Sequence, residues 1–537
     1  MTAPLAPETA RVRLTIVAVV VVCLFGALFA RLWYLQVMWA PQAQAAAQSN
    51  GVRLVFDQAP RGRILDRNGA VLADNRVTEA ITISRDTANR NPAVVGRIAA
   101  LLGLTAADVQ HKLSDKRFSP YVPVPIALDV DMAKIVYVRE HQTDFPGVGA
   151  KPMAERRYAN GPLAANVVGY IGQISDKELA TRKKLGYQNG DQMGQSGVES
   201  AYESDLRGQP GVTRLQVDAK GRVLGVIGYQ PPVQGHDVWL TIDINAQKLA
   251  EDSLNKGLAA ARQHSDPKIG GGLFKAPAGS AVVLDPRDGS VLALATNPTY
   301  NPNDFVNGIS TDKYSGYLND PNHPLNDRTI QGLYAPGSTF KMVTAVAGLG
   351  AGVINPNTYF DDTGGLKVGQ TFFKNDNGQI YGFVNLPEAI TVSSDAYFYK
   401  VGATLWEGRA KFGVDALQNV ARQFGFGAPT GLPLPNELSG RVPDQASRAK
   451  EHAQYPQLFH EGGWFTGDNV NTAVGQGEVA VTPLQLANAY ATFANGGTLW
   501  APRIVLKTTD QTGKVIQQFQ SAPKGHVTLD PQWRAAM

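Results

Sequence analysis

Ser338 and Lys341 are the residues with which this chain could make and break a covalent bond. They stand in Tyr334-Ala-Pro-Gly-Ser-Thr-Phe-Lys-Met342, three positions apart, where a helix would put both on one face. A serine hydroxyl becomes a nucleophile only beside a base, and a partly desolvated lysine can be that base. The chemistry open to such a pair is nucleophilic attack by the serine oxygen. Spacing does not single it out, because Ser-x-x-Lys occurs six times, at Ser253, Ser265, Ser310, Ser338, Ser447 and Ser521. Only Ser338 follows a Pro-Gly stop and opens an apolar run, Phe340 to Leu349, that reads as a helix buried in a core.

Fifty-five residues after Ser338 comes Ser393, in Thr391-Val-Ser-Ser-Asp-Ala-Tyr-Phe-Tyr399. A second hydroxyl with the nearby Asp395 could complete a proton relay with Ser338 and Lys341. Alone this is weak: Ser-x-Asn or Ser-x-Asp also matches at Ser84, Ser253 and Ser310, and a serine with an aspartate at a helix start is ordinarily a cap. The order of the two sets, each opening an apolar helix, is what raises the functional reading. Tyr397, Phe398 and Tyr399 read as core packing rather than a ligand platform.

These residues need a scaffold. Ile244 to Arg262 has a helical pattern, and Ser280 to Ala295 is two apolar strands around Pro-Arg-Asp-Gly. Both strands are apolar on both faces, so the hairpin is expected between layers, in a sheet with helices packed on it. Residues 51–240 carry no catalytic constellation and read as an α+β spacer or interaction domain. Asn68-Gly69 predicts a hairpin, Asn91 to Lys116 a helix, and Gly197 to Gly208 an amphipathic helix ended by glycine. Tyr158 to Ile174 is a glycine-punctuated apolar stretch. Val212 to Val223 and Asp237 to Ile242 alternate like strands.

Residues 1–13 are polar and end on Arg11 and Arg13, and Leu14 to Ala30 is an uncharged apolar run of 17 residues. With Trp33 and Tyr34 as an interfacial belt, 14–35 is expected to be a transmembrane anchor with a cytoplasmic N-terminus. A cleaved signal peptide would show a small-residue site directly after the run, and none is there. Residues 41–50 read as a juxtamembrane helix or linker. At 537 residues the chain should hold two or three domains. A net charge of +4 does not point to nucleic acid, and the single Cys23 excludes an intrachain disulfide. The eight histidines form no metal-binding motif, so no metal and no cofactor are expected.

Ser338-Thr-Phe-Lys341 after Pro-Gly, and Ser393-Ser-Asp395 downstream, resemble the first two motifs of penicillin-binding proteins and serine β-lactamases. The anchor, Arg61-Gly-Arg-Ile-Leu-Asp-Arg-Asn-Gly69, Gly197-Val-Glu199 with Leu206-Arg-Gly208, Val283-Leu-Asp-Pro286 with Asn297-Pro-Thr-Tyr300, and Gly475-Gln-Gly-Glu-Val-Ala-Val-Thr-Pro-Leu-Gln-Leu-Ala487 resemble class B penicillin-binding proteins over essentially the whole chain. Aspartate at 395, where division-specific relatives usually have asparagine, favours the elongation type, penicillin-binding protein 2.

The resemblance implies a multidomain fold. A cytoplasmic tail (1–13) and the anchor (14–35) precede an extracytoplasmic α+β pedestal, similar to a penicillin-binding protein dimerisation domain (51–240). An α/β, serine β-lactamase-like transpeptidase domain follows (244–537). It implies a bacterial D,D-transpeptidase that cross-links peptidoglycan stem peptides and is acylated by β-lactams. Ser338 would be the nucleophile and Lys341 its base. Ser393 would shuttle a proton, and Asp395 would orient substrate or relay. A membrane glycosyltransferase of the shape, elongation, division and sporulation family is the implied partner.

Two departures stand out. Some relatives carry a zinc-binding loop between the first two motifs, but this interval has Asp361, Asp362 and Asp376 without cysteine or histidine, so no zinc is expected. The third motif, Lys-Ser/Thr-Gly, is absent; Lys507-Thr-Thr509 lacks the glycine, and Gln511-Thr-Gly513 reads as a polar hairpin turn. The chain is therefore expected to be C-terminally incomplete, without the last strands of its sheet, and inactive or weakly active in this form. The competing readings are a non-catalytic cell-wall scaffold and a β-lactam sensor or hydrolase. Against the last, no deacylating glutamate is evident.

Overall fold

The computed structural model describes residues 8–39, 51–115, 118–218, 222–267 and 270–537. A helix, Glu8–Trp33, continues into a π-helical turn, Tyr34–Met38. Arg11–Met38 is long and apolar enough to cross a membrane, and none of its apolar window is buried among the described residues. The stretch 41–50 and residues 1–7 of the expected tail lie outside the described residues.

A seven-stranded sheet organises the pedestal. Its order is Val515–Gln518, Val505–Thr509, Asp237–Leu240, Ile64–Leu65, Val71–Ile83, Val124–Ala127, with Val148–Tyr158 also paired along Val71–Ile83 from Ala73↔Tyr158 to Ile83↔Val148. The Asn68-Gly69 turn forms as its sequence predicts: Gly69 has φ +93°, and Asp66 Oδ1 accepts from the N–H groups of Asn68 and Ala70. A smaller sheet pairs Val52–Asp57, Gly211–Val217 and Val223–Gln230. Its last strand begins at Val223, where the alternating pattern was expected to end.

Two helical expectations need correction. The segment from Asn91 is two helices, Pro92–Leu102 and Ala106–Ser114, because Gly103 at φ +71° ends the first; Lys116 lies outside the described residues. The segment Gly197–Gly208 is two short turns of helix, Gly197–Ala201 and Glu203–Leu206, broken at Tyr202. It is not amphipathic with its acids in water: Glu199 and Glu203 point inward to Arg61.

In the second half, the helix Ile244–Ala261 is capped by Asp243 and lies against the hairpin Gly279–Leu284/Val291–Asn297. Val291–Asn297 is deeply buried as expected. Gly279–Leu284 is only partly covered, with Val283 exposed, because the helix Ile244–Ala261 packs chiefly on Val291–Asn297. The helices Lys341–Gly350 and Asp395–Glu407 meet in the principal core, where Phe340, Val343, Tyr397, Phe398, Val401 and Phe424 interlock. A second apolar cluster joins Ile64, Val238 and Leu240 of the pedestal sheet to Val291, Leu294, Ile330 and Leu484.

Candidate active site

Ser338 sits in a 3₁₀ turn, Gly337–Phe340, and the α-helix starts only at Lys341. This differs from a continuous α-helix and brings the pair closer into line, because residues three apart in a 3₁₀ turn eclipse one another. Ser338 is exposed, whereas Lys341 is buried one turn below it. Every residue from Lys341 to Leu349 is buried, so the helix is fixed along its length.

The nucleophile turn is clamped by the segment around Gly475. Gly337 N–H donates to Gly475 C=O at 2.9 Å, and Tyr334 and Val481 exchange backbone hydrogen bonds. Gly475 has φ +66°, and a Cβ there would lie 2.5 Å from the Gly337 carbonyl oxygen and 2.6 Å from Phe340 Cβ. Only glycine fits both demands. Tyr490, on the helix Pro483–Ala494, donates its hydroxyl to Thr339 C=O at 2.9 Å. A groove lined by Val282, Pro483, Leu486, Ala487 and Tyr490 runs beside this turn.

The two serines of the second motif divide the labour. Ser394 caps the helix Asp395–Glu407, its Oγ accepting from Tyr397 N–H at 3.1 Å. Ser393, the residue before it, is exposed, has φ +57° and faces Lys341. Lys341 Nζ donates to Ser393 C=O at 2.8 Å and to Ser393 Oγ at 3.0 Å, and lies 2.6 Å from Asp395 Oδ1. Lys341, Ser393 and Asp395 are therefore in contact, with Ser338 one 3₁₀ turn before Lys341 and the Ser338 and Ser393 residues exposed. Burial pushes the Lys341 ammonium below its ordinary value, while the bond to Asp395 and the charges of Asp395 and Asp362 pull the other way and do not cancel the shift. A buried amine with a lowered pKa can take a proton from a serine.

Lys507-Thr-Thr509 is elsewhere. It belongs to the strand Val505–Thr509, paired with Asp237–Leu240 in the pedestal sheet, and Lys507 Nζ sits 4.4 Å from the centre of the Trp239 ring. Gln511–Gly513 lies in the turn joining that strand to Val515–Gln518. Of the three aspartates between the motifs, Asp361 and Asp376 are exposed and Asp362 is buried. Among the described residues no group of three or more His, Cys, Asp or Glu could hold a metal. Sequence reasoning missed Asn375 and Tyr490, which carry no local signal, and Ser394, whose capping role was not separated from that of Ser393.

The two halves match two protein families. Residues 56–240 match the penicillin-binding protein dimerisation domain, and 279–532 the penicillin-binding protein transpeptidase domain. Fold and site thus define a penicillin-binding protein. Peptidoglycan D,D-transpeptidase MrdA of Acinetobacter baumannii is 33% identical over 523 residues, 96% of this chain and 72% of the relative. The Escherichia coli protein of the same name is 31% identical over 507 residues, covering 93% and 74%. A Helicobacter pylori structure, the complex between PBP2 and MreC, superimposes with TM-score 0.71 and 26% identity, covering 90% of this chain and 82% of that one. A structure titled for the coordination of polymerization and crosslinking by a peptidoglycan synthase complex gives 0.69 and 29%, covering 98% and 83%. The chain belongs to the elongation-type class B penicillin-binding proteins.

Proposed function

We propose that this protein is a membrane-anchored D,D-transpeptidase that cross-links peptidoglycan stem peptides during cell-wall elongation, with Ser338, Lys341, Ser393 and Asp395 as its catalytic and substrate-binding residues. The observation that carries this reading is Lys341, buried beneath an exposed Ser338 and held by Ser393 and Asp395. As an ammonium, Lys341 has three donors for Ser393 C=O, Ser393 Oγ and Asp395. As a neutral amine it keeps two and has a lone pair for the Ser338 proton.

Ser338 Oγ attacks the penultimate D-Ala carbonyl of a donor stem, and its proton passes to Lys341. The tetrahedral oxyanion meets the Ser338 backbone N–H; one such donor is worth roughly 100–1,000-fold in rate. As the C–N bond breaks, the proton returns through Ser393 to the departing D-Ala amine. The amine of a neighbouring stem then attacks the ester, gives up a proton along the same relay, and restores the Ser338 hydroxyl. A β-lactam enters at the first step and leaves slowly.

Division of the chain into tail (1–13), anchor (14–35), pedestal (51–240) and transpeptidase domain (244–537) goes with this reading. Arg11 and Arg13 support a cytoplasmic N-terminus, with the catalytic domain outside the cytoplasmic membrane. The likeness to a peptidoglycan synthase complex supports a membrane glycosyltransferase as partner. The deciding experiment is labelling of the full-length protein with a fluorescent penicillin: a covalent band is expected at Ser338 and is lost in Ser338→Ala. A band that survives the substitution removes the assignment.

A further inference from the structure

The second motif stands on a polar clasp that the steps above do not use. Asp362 ends the strand Phe360–Asp362 and is 1% exposed. Its Oδ1 accepts from Gly364 N–H and from Asn375 Nδ2, both at 2.8 Å. Its Oδ2 accepts from Asn375 Nδ2 at 2.9 Å and from the hydroxyl of Ser394. Ser394 is wholly buried; with its proton committed to Asp362, its oxygen is free to accept from Tyr397 N–H. Asn375, also buried, has its amide group turned to Asp362 and to Gln379 C=O, which aims its Oδ1 at Ala396 N–H, 2.8 Å away. Two of the first N–H groups of the helix Asp395–Glu407 are therefore capped by groups that Asp362 orients, and its negative charge suits that helix end.

The consequence reaches the lysine. Ser394 lies between Ser393 and Asp395, the two residues that hold Lys341 Nζ. Ser393 is in the left-handed region, which a residue with a Cβ keeps only when its neighbours impose it. The segment Asp362–Gln379 reaches neither Ser338 nor Lys341 through a hydrogen bond, yet it fixes the residue on which both holders of the lysine turn.

We infer that Asp362 is a positioning residue for acylation: through Ser394 and Asn375 it holds Ser393 and Asp395 where Lys341 can take the proton of Ser338. The inference rests on the roles proposed above for those residues. It is tested on the full-length protein in detergent with Asp362→Asn, Asp362→Glu and Ser394→Ala. Three quantities are measured: the acylation rate constant with a fluorescent penicillin, resolved from the binding constant; the melting temperature; and amide hydrogen exchange over residues 393–397.

Asp362→Asn and Ser394→Ala are expected to slow acylation by about 10–100-fold with the binding constant unchanged, the scale of a misplaced catalytic group. Exchange at 393–397 should accelerate, and Asp362→Glu should recover part of the rate. A clasp that only staples the loop would lower the melting temperature and leave the rate constant of the folded protein as it was. Should Asp362→Asn not fold, Ser394→Ala decides alone. An unchanged acylation rate constant in either folded variant overturns the inference. If the parent does not acylate at Ser338, the proposed function fails, and exchange over 393–397 still reads the clasp: no change in Asp362→Asn overturns it too.

Discussion

Arg61 in the pedestal and Lys341 in the transpeptidase half are both cations withdrawn from water, and they end with opposite properties. Arg61 reaches Glu199 and Glu203 at 2.7 Å each; Glu199 also takes Arg156 at 2.6 Å, and Tyr187 donates to Glu203 at 2.7 Å. Two guanidinium groups meet two carboxylates, all nearly inaccessible. Burial works to lower Arg61, but Glu199 and Glu203 outweigh it and the group ends above its ordinary value. Burial likewise works to raise Glu199, and Arg156 and Arg61 more than reverse it. Lys341 has one carboxylate in contact and otherwise neutral oxygens, and there burial wins. A buried cation held by two carboxylates keeps its proton and is structure, whereas one held by a single carboxylate gives up its proton more readily than in water.

The contrast can be broken by substitution. The largest effect is expected from Lys341→Ala, which should slow penicillin acylation by about 100–10,000-fold, the worth of a general base, in a protein that still melts cooperatively. A rate near that of the parent would show that Lys341 is not the base. Glu199→Ala should do the reverse. It leaves Arg61 and Arg156 buried without their shared partner, a loss of about 3–5 kcal/mol, read as a fall in melting temperature while the folded fraction keeps its acylation rate. The Glu199 pKa lies below its unfolded value, so its contribution is complete above about pH 4.3 and fades as pH falls below that; acid melts of parent and Glu199→Gln should converge there.

Asp395→Asn sharpens the comparison further. The carboxylate favours the ammonium, so removing it lowers the Lys341 pKa again and should move the alkaline-rising limb of the acylation rate to lower pH. A limb that does not move would mean that Asp395 does not act on Lys341. At the small end, the exposed pair Lys248–Asp252 should be dispensable: Lys248→Ala is expected to leave melting temperature and acylation unchanged.

The fold was legible where local chemistry decides it. Asn68-Gly69 and Pro286-Arg-Asp-Gly289 turn their hairpins whatever surrounds them. The four site residues could be named because the Pro-Gly before Ser338, the apolar run after it and Ser393-Ser-Asp395 downstream single out one match among six. What escaped detection depends on distant partners. Glu199 and Glu203 look like the wet face of a helix until Arg61 and Arg156 arrive from far along the chain. Nothing near Asn375 announces that it caps a helix beginning twenty residues later. The strand Val223–Gln230 was missed because its apolar side chains stay exposed and leave no burial pattern to read.

One pairing bears on how the chain comes to be made. The pedestal sheet runs from Ile64–Leu65 through Asp237–Leu240 to Val505–Thr509 and Val515–Gln518, and these last two strands lie within the residues that match the transpeptidase family. The sheet cannot close while the polypeptide is still emerging in order. Asp237–Leu240 must wait with one edge open until more than 260 further residues have been delivered and folded around it. Such distant closure is slow, and an open edge invites wrong partners. A pedestal cut at residue 240 would keep that edge open for good, so the second half of the chain also acts as the folding partner of the first.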